Sequence, residues 1–296
     1  MPSIVPSVLL VAALLSAGAR NRSTAVSHAA PAADSLRVPI LVYHNIQTAA
    51  DGRAVHSADL TMRPEIFVEQ MQYLKDHKIP VVSLAALFDA LEGKRVLPAH
   101  AVVLTFDDGR ENQYRNAFPV LRKLGFTATF FPFTHAMDRN PRYFTWAQLR
   151  ELQQAGMTVG SHTSLHVRVD KMKDAKHMHD EVTGSRDLLR EKLGTSATES
   201  FSYPFGALAS AGDSAVRAAG YRFARAYTGG PWNSLRDRWR LKAVPATENM
   251  KRFAQIVDPV ASAAARASAR PAPAHAGEPS TRAAAPTRKG KHGTAT

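Results

Sequence analysis

Between Val38 and Val257 the chain repeats one arrangement: a short run that is apolar at consecutive positions, then a stretch with helical spacing. The runs are VPILVY (38–43), IPVVSL (79–84), AVVLTF (101–106), TATFFPF (127–133), MTVGS (157–161), FSY (201–203) and YRFARAY (221–227). A strand that does not alternate buries both faces, which is the condition of a parallel strand covered by helices. Phe67, Met71 and Leu74 fall at i, i+4 and i+7 of one helical stripe. Residues 146–155 open on Thr145, carry Gln148 in the capping-box position and close on Gly156. Further helices are expected over 174–192 and 212–219, the second ended by Gly220. Six or seven such units exceed what an open sheet usually needs. The pattern predicts an α/β fold closed toward a parallel barrel, in a single domain over residues 37–260.

The flanks follow other rules. Residues 4–15 (IVPSVLLVAALL) are apolar but too short to span a bilayer comfortably, and Ala17-Gly18-Ala19 offers a cleavage site. A signal peptide over 1–19 is expected, with a small, polar linker over 20–36. Export places the protein in the periplasm, the cell envelope or the secreted fraction. No basic residue precedes the apolar run, so an uncleaved anchor or a buried strand is the alternative. Residues 261–296 are mostly Ala, Pro, Arg, Ser, Thr and Gly, a composition that cannot bury enough surface to order itself. A disordered tail is expected. Its six basic side chains against Glu278 contribute to a net charge of +13 and suit contact with an anionic envelope. No aromatics are interleaved for base stacking, so no specific nucleic-acid partner is expected.

With no cysteine, thiolate metal sites, iron–sulfur clusters and disulfide frameworks are excluded. Any metal is left to His, Asp or Glu. Asp107-Asp108-Gly109 ends the most apolar run, where the carboxyl ends of parallel strands collect functional groups. Adjacent carboxylates there call for a cation, although Asp-Gly is also a common turn. His162 and His166, four apart after MTVGS, share a face if a helical turn begins there. In a chain with 12 histidines such a pair also arises by chance. Taken together, the two motifs supply one Asp and two His at strand ends, with positions left open for water and substrate.

The order VPILVYHNI, LTFDDG, W-x-x-L-x-x-L-x-x-x-G-x-x-x-G-S-H-T-x-x-H, YPFG and AAGYRFA resembles the polysaccharide deacetylases with the NodB-like homology domain, closest to the branch with poly-N-acetylglucosamine deacetylases. The likeness runs from about residue 38 to 257. It implies a distorted, incomplete (β/α) barrel of about seven parallel strands. It also implies a metal-dependent hydrolase that removes N-acetyl groups from an envelope or extracellular polysaccharide. By position, it assigns Asp108, His162 and His166 as metal ligands, Asp107 as general base and the Phe205 backbone N–H as oxyanion donor. The ion is one divalent cation, zinc foremost, with cobalt, nickel or manganese suited to the same donors.

Two departures stand out. The family often carries an Arg before the proline motif to orient the base, and here Ser202 occupies that place. The late Leu-x-His that protonates the leaving amine is replaced by Arg240-Leu241-Lys242. Arg240 is the candidate for the missing cation. His44 is the candidate acid, with a core histidine as its alternative. Tyr203 and Trp232 are the candidate substrate contacts. The competing activities are an O-acetyl esterase of the xylan type and a degenerate domain that binds glycan without turnover. A monomer is expected.

Overall fold

In the computed structural model, residues 35–48, 60–195, 199–258 and 260–261 are described. The expected signal peptide, most of the expected linker and all but the first residue of the expected tail lie outside them. Seven strands form one parallel sheet: β1 (Ile40–Tyr43), β2 (Val103–Asp108), β3 (Thr129–Pro132), β4 (Thr158–Val159), β5 (Ser200–Ser202), β6 (Phe223–Gly229) and β7 (Leu241–Pro245). Their spatial order is β4-β3-β2-β1-β7-β6-β5. The two edges meet at one parallel bridge, Ser161 to Phe201, where Ser161 N–H donates to Ser200 and Ser202 N–H donates back to Ser161. The result is the nearly closed α/β barrel expected from the sequence.

The burial of both strand faces explains the apolar runs. Leu41, Tyr43, Leu104, Phe106 and Phe130 pack against surrounding helices, while Ile40, Val42, Val103 and Phe131 join the cluster within the barrel. The capping box of Thr145 and Gln148 is formed, and its helix runs Trp146–Gln154. Pro64–Asp76 buries Phe67, Met71 and Leu74 as their spacing requires.

One strand of the expected seven is a different segment. IPVVSL makes only a single bridge, Val81 to Val102, because Pro80 has no N–H and Ser83 caps a helix over Leu84–Leu91. That helix packs at the amino ends of the strands, with Phe88 stacked on Phe223 at 4.8 Å. The seventh strand is β7, whose LKAVP buries Leu241 and Ala243 but carries Lys242 and ends in Pro245. Its apolar signal is too short to stand out.

Closure leaves no space at Gly160. A Cβ there would lie 2.4 Å from both Phe131 and Ser200 Oγ. Gly160→Ala is therefore expected to cost about 1–3 kcal/mol by overpacking, read as a lower denaturant midpoint at unchanged slope. A midpoint equal to the parent's would mean the closing bridge is slack.

Candidate active site

The carboxyl ends of the strands bring the polar residues together. β2 is buried at all six positions, so Asp107 and Asp108 enter the interior with it. Asp108 leaves the strand with φ of 73°, and Gly109 follows at 70° with Pro132 only 2.6 Å from where a Cβ would sit. Glycine is needed there for both reasons.

After β4, His162 and His166 do not lie on a helical turn. Thr163 and His166 both hold left-handed backbone, φ 67° and 59°, and fold the segment back on itself. The buried Glu181 carboxylate pins this loop by accepting from Ser164 N–H (2.9 Å) and Leu165 N–H (2.8 Å). Among the described residues, four of the seven non-glycine positions with positive φ are Asp108, Thr163, His166 and Phe205. Backbone strain of this kind persists where surrounding structure enforces it, and it clusters at functional sites.

Asp108, His162 and His166 converge, each offering an atom within 4.8 Å of the others. Asp108 Oδ1 is buried without a hydrogen-bond partner, 3.2 Å from His166 Nε2 and 3.7 Å from His162 Nε2. Its other oxygen, Oδ2, accepts from Arg110 Nε and Nη2 at 3.3 and 3.2 Å. His162 Nδ1 bonds the Ser202 carbonyl at 2.8 Å, so that nitrogen carries the proton and the Nε2 lone pair faces Asp108. Burial pulls the His162 pKa down to about 4, keeping the ring neutral as a ligand must be. An orphaned carboxylate oxygen facing two imidazole nitrogens is a donor set that fits a divalent cation.

Asp107 stands outside that set. Its Oδ1 accepts from Arg225 Nη2, and its Oδ2 faces Ser202 Oγ at 3.5 Å and His44 Nε2 at 3.9 Å. Arg225, 1% exposed, also donates to Ser202 Oγ at 2.7 Å. Burial pushes the Asp107 carboxyl up, but the Arg225 guanidinium and the imidazoles of His162 and His44 outweigh it and hold it below its usual range. Asp107 is thus an ionised carboxylate beside the triad, free of the ligand set.

The chain also matches known proteins. Residues 94–224 match the polysaccharide deacetylase family model. The match is to a polysaccharide deacetylase domain. Relatives include YxkH of Bacillus subtilis, 26% identical over 170 residues and covering 57% of each chain. Another is the poly-beta-1,6-N-acetyl-D-glucosamine N-deacetylase of Escherichia coli, 31% identical over 137 residues, 41% of this chain and 20% of that one. The chain therefore spans well under two thirds of these relatives' lengths. In fold it is similar to the Streptococcus pyogenes deacetylase PplD, with a TM-score of 0.69 at 24% identity over 76% of this chain and 99% of that one.

Within the barrel, three sequence expectations are displaced. Arg240 does not reach Asp107; it pairs with Asp213 at 2.8 Å. The cation at Asp107 is Arg225, from β6. Its signal in the sequence was an arginine between Ala224 and Ala226 in an apolar run, a charge that burial obliges to find a partner. Tyr203 is 1% exposed, with its hydroxyl on Asp213 at 2.9 Å, so its side chain offers no surface to a substrate. Trp232 is exposed but pairs with Arg37, ahead of β1, at the opposite end of the strands from Asp107. His44 follows β1 directly and joins the site. Phe205 holds φ 59°, ψ 10°, and its exposed ring lies 4.6 Å from the His166 ring, centroid to centroid.

Proposed function

We propose that this domain is a metal-dependent hydrolase that removes N-acetyl groups from an N-acetylglucosamine polymer outside the cytoplasm. The observation that carries the reading is the pairing of an orphaned Asp108 oxygen against two imidazoles with a separate, ionised Asp107 beside them. The E. coli relative's N-deacetylase activity supports the substrate class, and the apolar stretch 4–15 supports export.

Asp108, His162 and His166 would hold the cation. A divalent ion in such a site polarises a carbonyl and makes water more acidic, with zinc the foremost candidate. Asp107 accepts the proton of the attacking water, its carboxylate held in one orientation by Arg225 and Ser202. His44, 3.9 Å from the Oδ2 of Asp107, is the candidate to return a proton to the departing amine. The Phe205 N–H, in the left-handed turn beside His166, is the candidate donor to the developing oxyanion. The products are acetate and a free amine on the sugar.

A domain that only bound glycan would need neither the free carboxylate nor its buried arginine. The test is acetate release from β-linked N-acetylglucosamine oligomers and from acetylated xylan, after chelation and after adding back zinc, cobalt, nickel or manganese. Metal-restored release from the amide substrates is expected. Release from the xylan alone would replace this reading with the O-acetyl esterase.

A further inference from the structure

Arg110 stands two residues beyond Asp108, is 6% exposed and takes no part in the chemistry described above. Its Nε and Nη2 both donate to Asp108 Oδ2, at 3.3 and 3.2 Å, while Oδ1 faces the two imidazoles. Two donors of one planar guanidinium on a single oxygen fix both its place and its direction.

The arginine is itself held from behind. Its Nη1 donates to the Tyr143 hydroxyl at 2.8 Å, and the guanidinium lies 4.6 Å from the centre of the Tyr143 ring. The two segments are tied through the backbone as well. Arg110 forms a bridge with Tyr143, Glu111 N–H donates to the Arg142 carbonyl and Phe144 N–H to that of Gly109, both at 2.9 Å. Tyr143 also packs edge-on against Phe133 at 4.8 Å, and the Phe133 ring meets His166 at 5.5 Å. The loop that carries Tyr143 therefore braces Asp108 through Arg110 and His166 through Phe133.

A buried cation in this place needs a reason. A guanidinium on the carboxylate that is to hold a divalent ion repels that ion and draws off part of the carboxylate's charge. It lowers affinity, so its use is geometric. Resting on the reading that the triad holds an ion, we infer that Arg110 is a positioning residue that confines Asp108 to donating through Oδ1 alone. A carboxylate free to donate through both oxygens would fill a position that a catalytic site keeps open for water or substrate. Arg110 keeps that position open at the expense of tighter binding.

The test compares the full chain with Arg110→Met, Arg110→Lys and Tyr143→Phe, each loaded with cobalt after chelation. Visible absorption of cobalt weakens as its coordination number rises, so the spectrum reports whether the second Asp108 oxygen has joined. Arg110→Met should weaken the absorption. It should also bind zinc about tenfold or more tightly than the parent, because the ion replaces the lost partner of a buried carboxylate. Arg110→Lys keeps the charge without the fork, so it should weaken the absorption while holding zinc close to the parent's affinity. Tyr143→Phe, which loosens Arg110 from behind, should shift the spectrum the same way by less. A parent-like spectrum in Arg110→Lys overturns the assignment whether or not Arg110→Met folds, since charge alone would then suffice. Weaker zinc binding by Arg110→Met also overturns it. A parent chain that takes up no cobalt overturns it together with the metal reading. Cobalt bound with the expected spectral changes, but no acetate released, counts against hydrolysis alone and leaves the role of Arg110 standing.

Discussion

His166→Ala is expected to empty the metal site and abolish acetate release while leaving the fold intact. The His166 side chain is 25% exposed, so its loss opens no sealed cavity, whereas His162 is buried and bonded to the Ser202 carbonyl. Removing one of three donors should cost more affinity than the about 10–100-fold that follows loss of a supporting partner outside the ligand set. Metal content after chelation and dialysis against one equivalent of zinc measures the first effect, and far-ultraviolet circular dichroism checks the fold. Full metal content with full activity in this variant would sink the triad.

Asp107→Asn is expected to keep the metal and lose the ~10²–10⁴-fold in kcat that general-base catalysis contributes. The separation follows from geometry, since Asp107 lies on the Arg225 side and Asp108 between the imidazoles. Arg225→Met leaves the Asp107 carboxylate buried without its cation, a one-sided break that typically costs about 3–5 kcal/mol. The double variant Asp107→Asn, Arg225→Met should regain much of that stability while staying inactive. Denaturant melts of the three variants decide it. If Asp107→Asn instead lost the ion, the roles of the two aspartates would be exchanged. If Arg225→Met melted like the parent, the buried pair would have no structural weight.

The sequence by itself determined the class of fold and which residue types gather at the strand ends, while the choice of Asp108 over Asp107 rested on the family resemblance. Both depend on local signals: runs apolar on both faces force a covered parallel sheet, and Asp108, His162 and His166 each follow such a run at its carboxyl end. The capping box at Thr145 and Gln148 was equally local and formed as read. Tertiary structure decided what depends on partners distant in the chain. β7, with only Leu241 and Ala243 turned inward, is a strand because β1 and β6 hydrogen-bond to it on either side. Arg225 rather than Arg240 meets Asp107 because β5 and β6 are neighbours, with Ser202 in register with Arg225. Arg240 is drawn instead to Asp213, which also takes the Tyr203 hydroxyl. Trp232 pairs with Arg37 ahead of β1, at the far end of the barrel from the chemistry. Spacing along a chain reports which face or strand end a residue occupies, but the partner of a buried charge is chosen by strand order, which no single segment encodes.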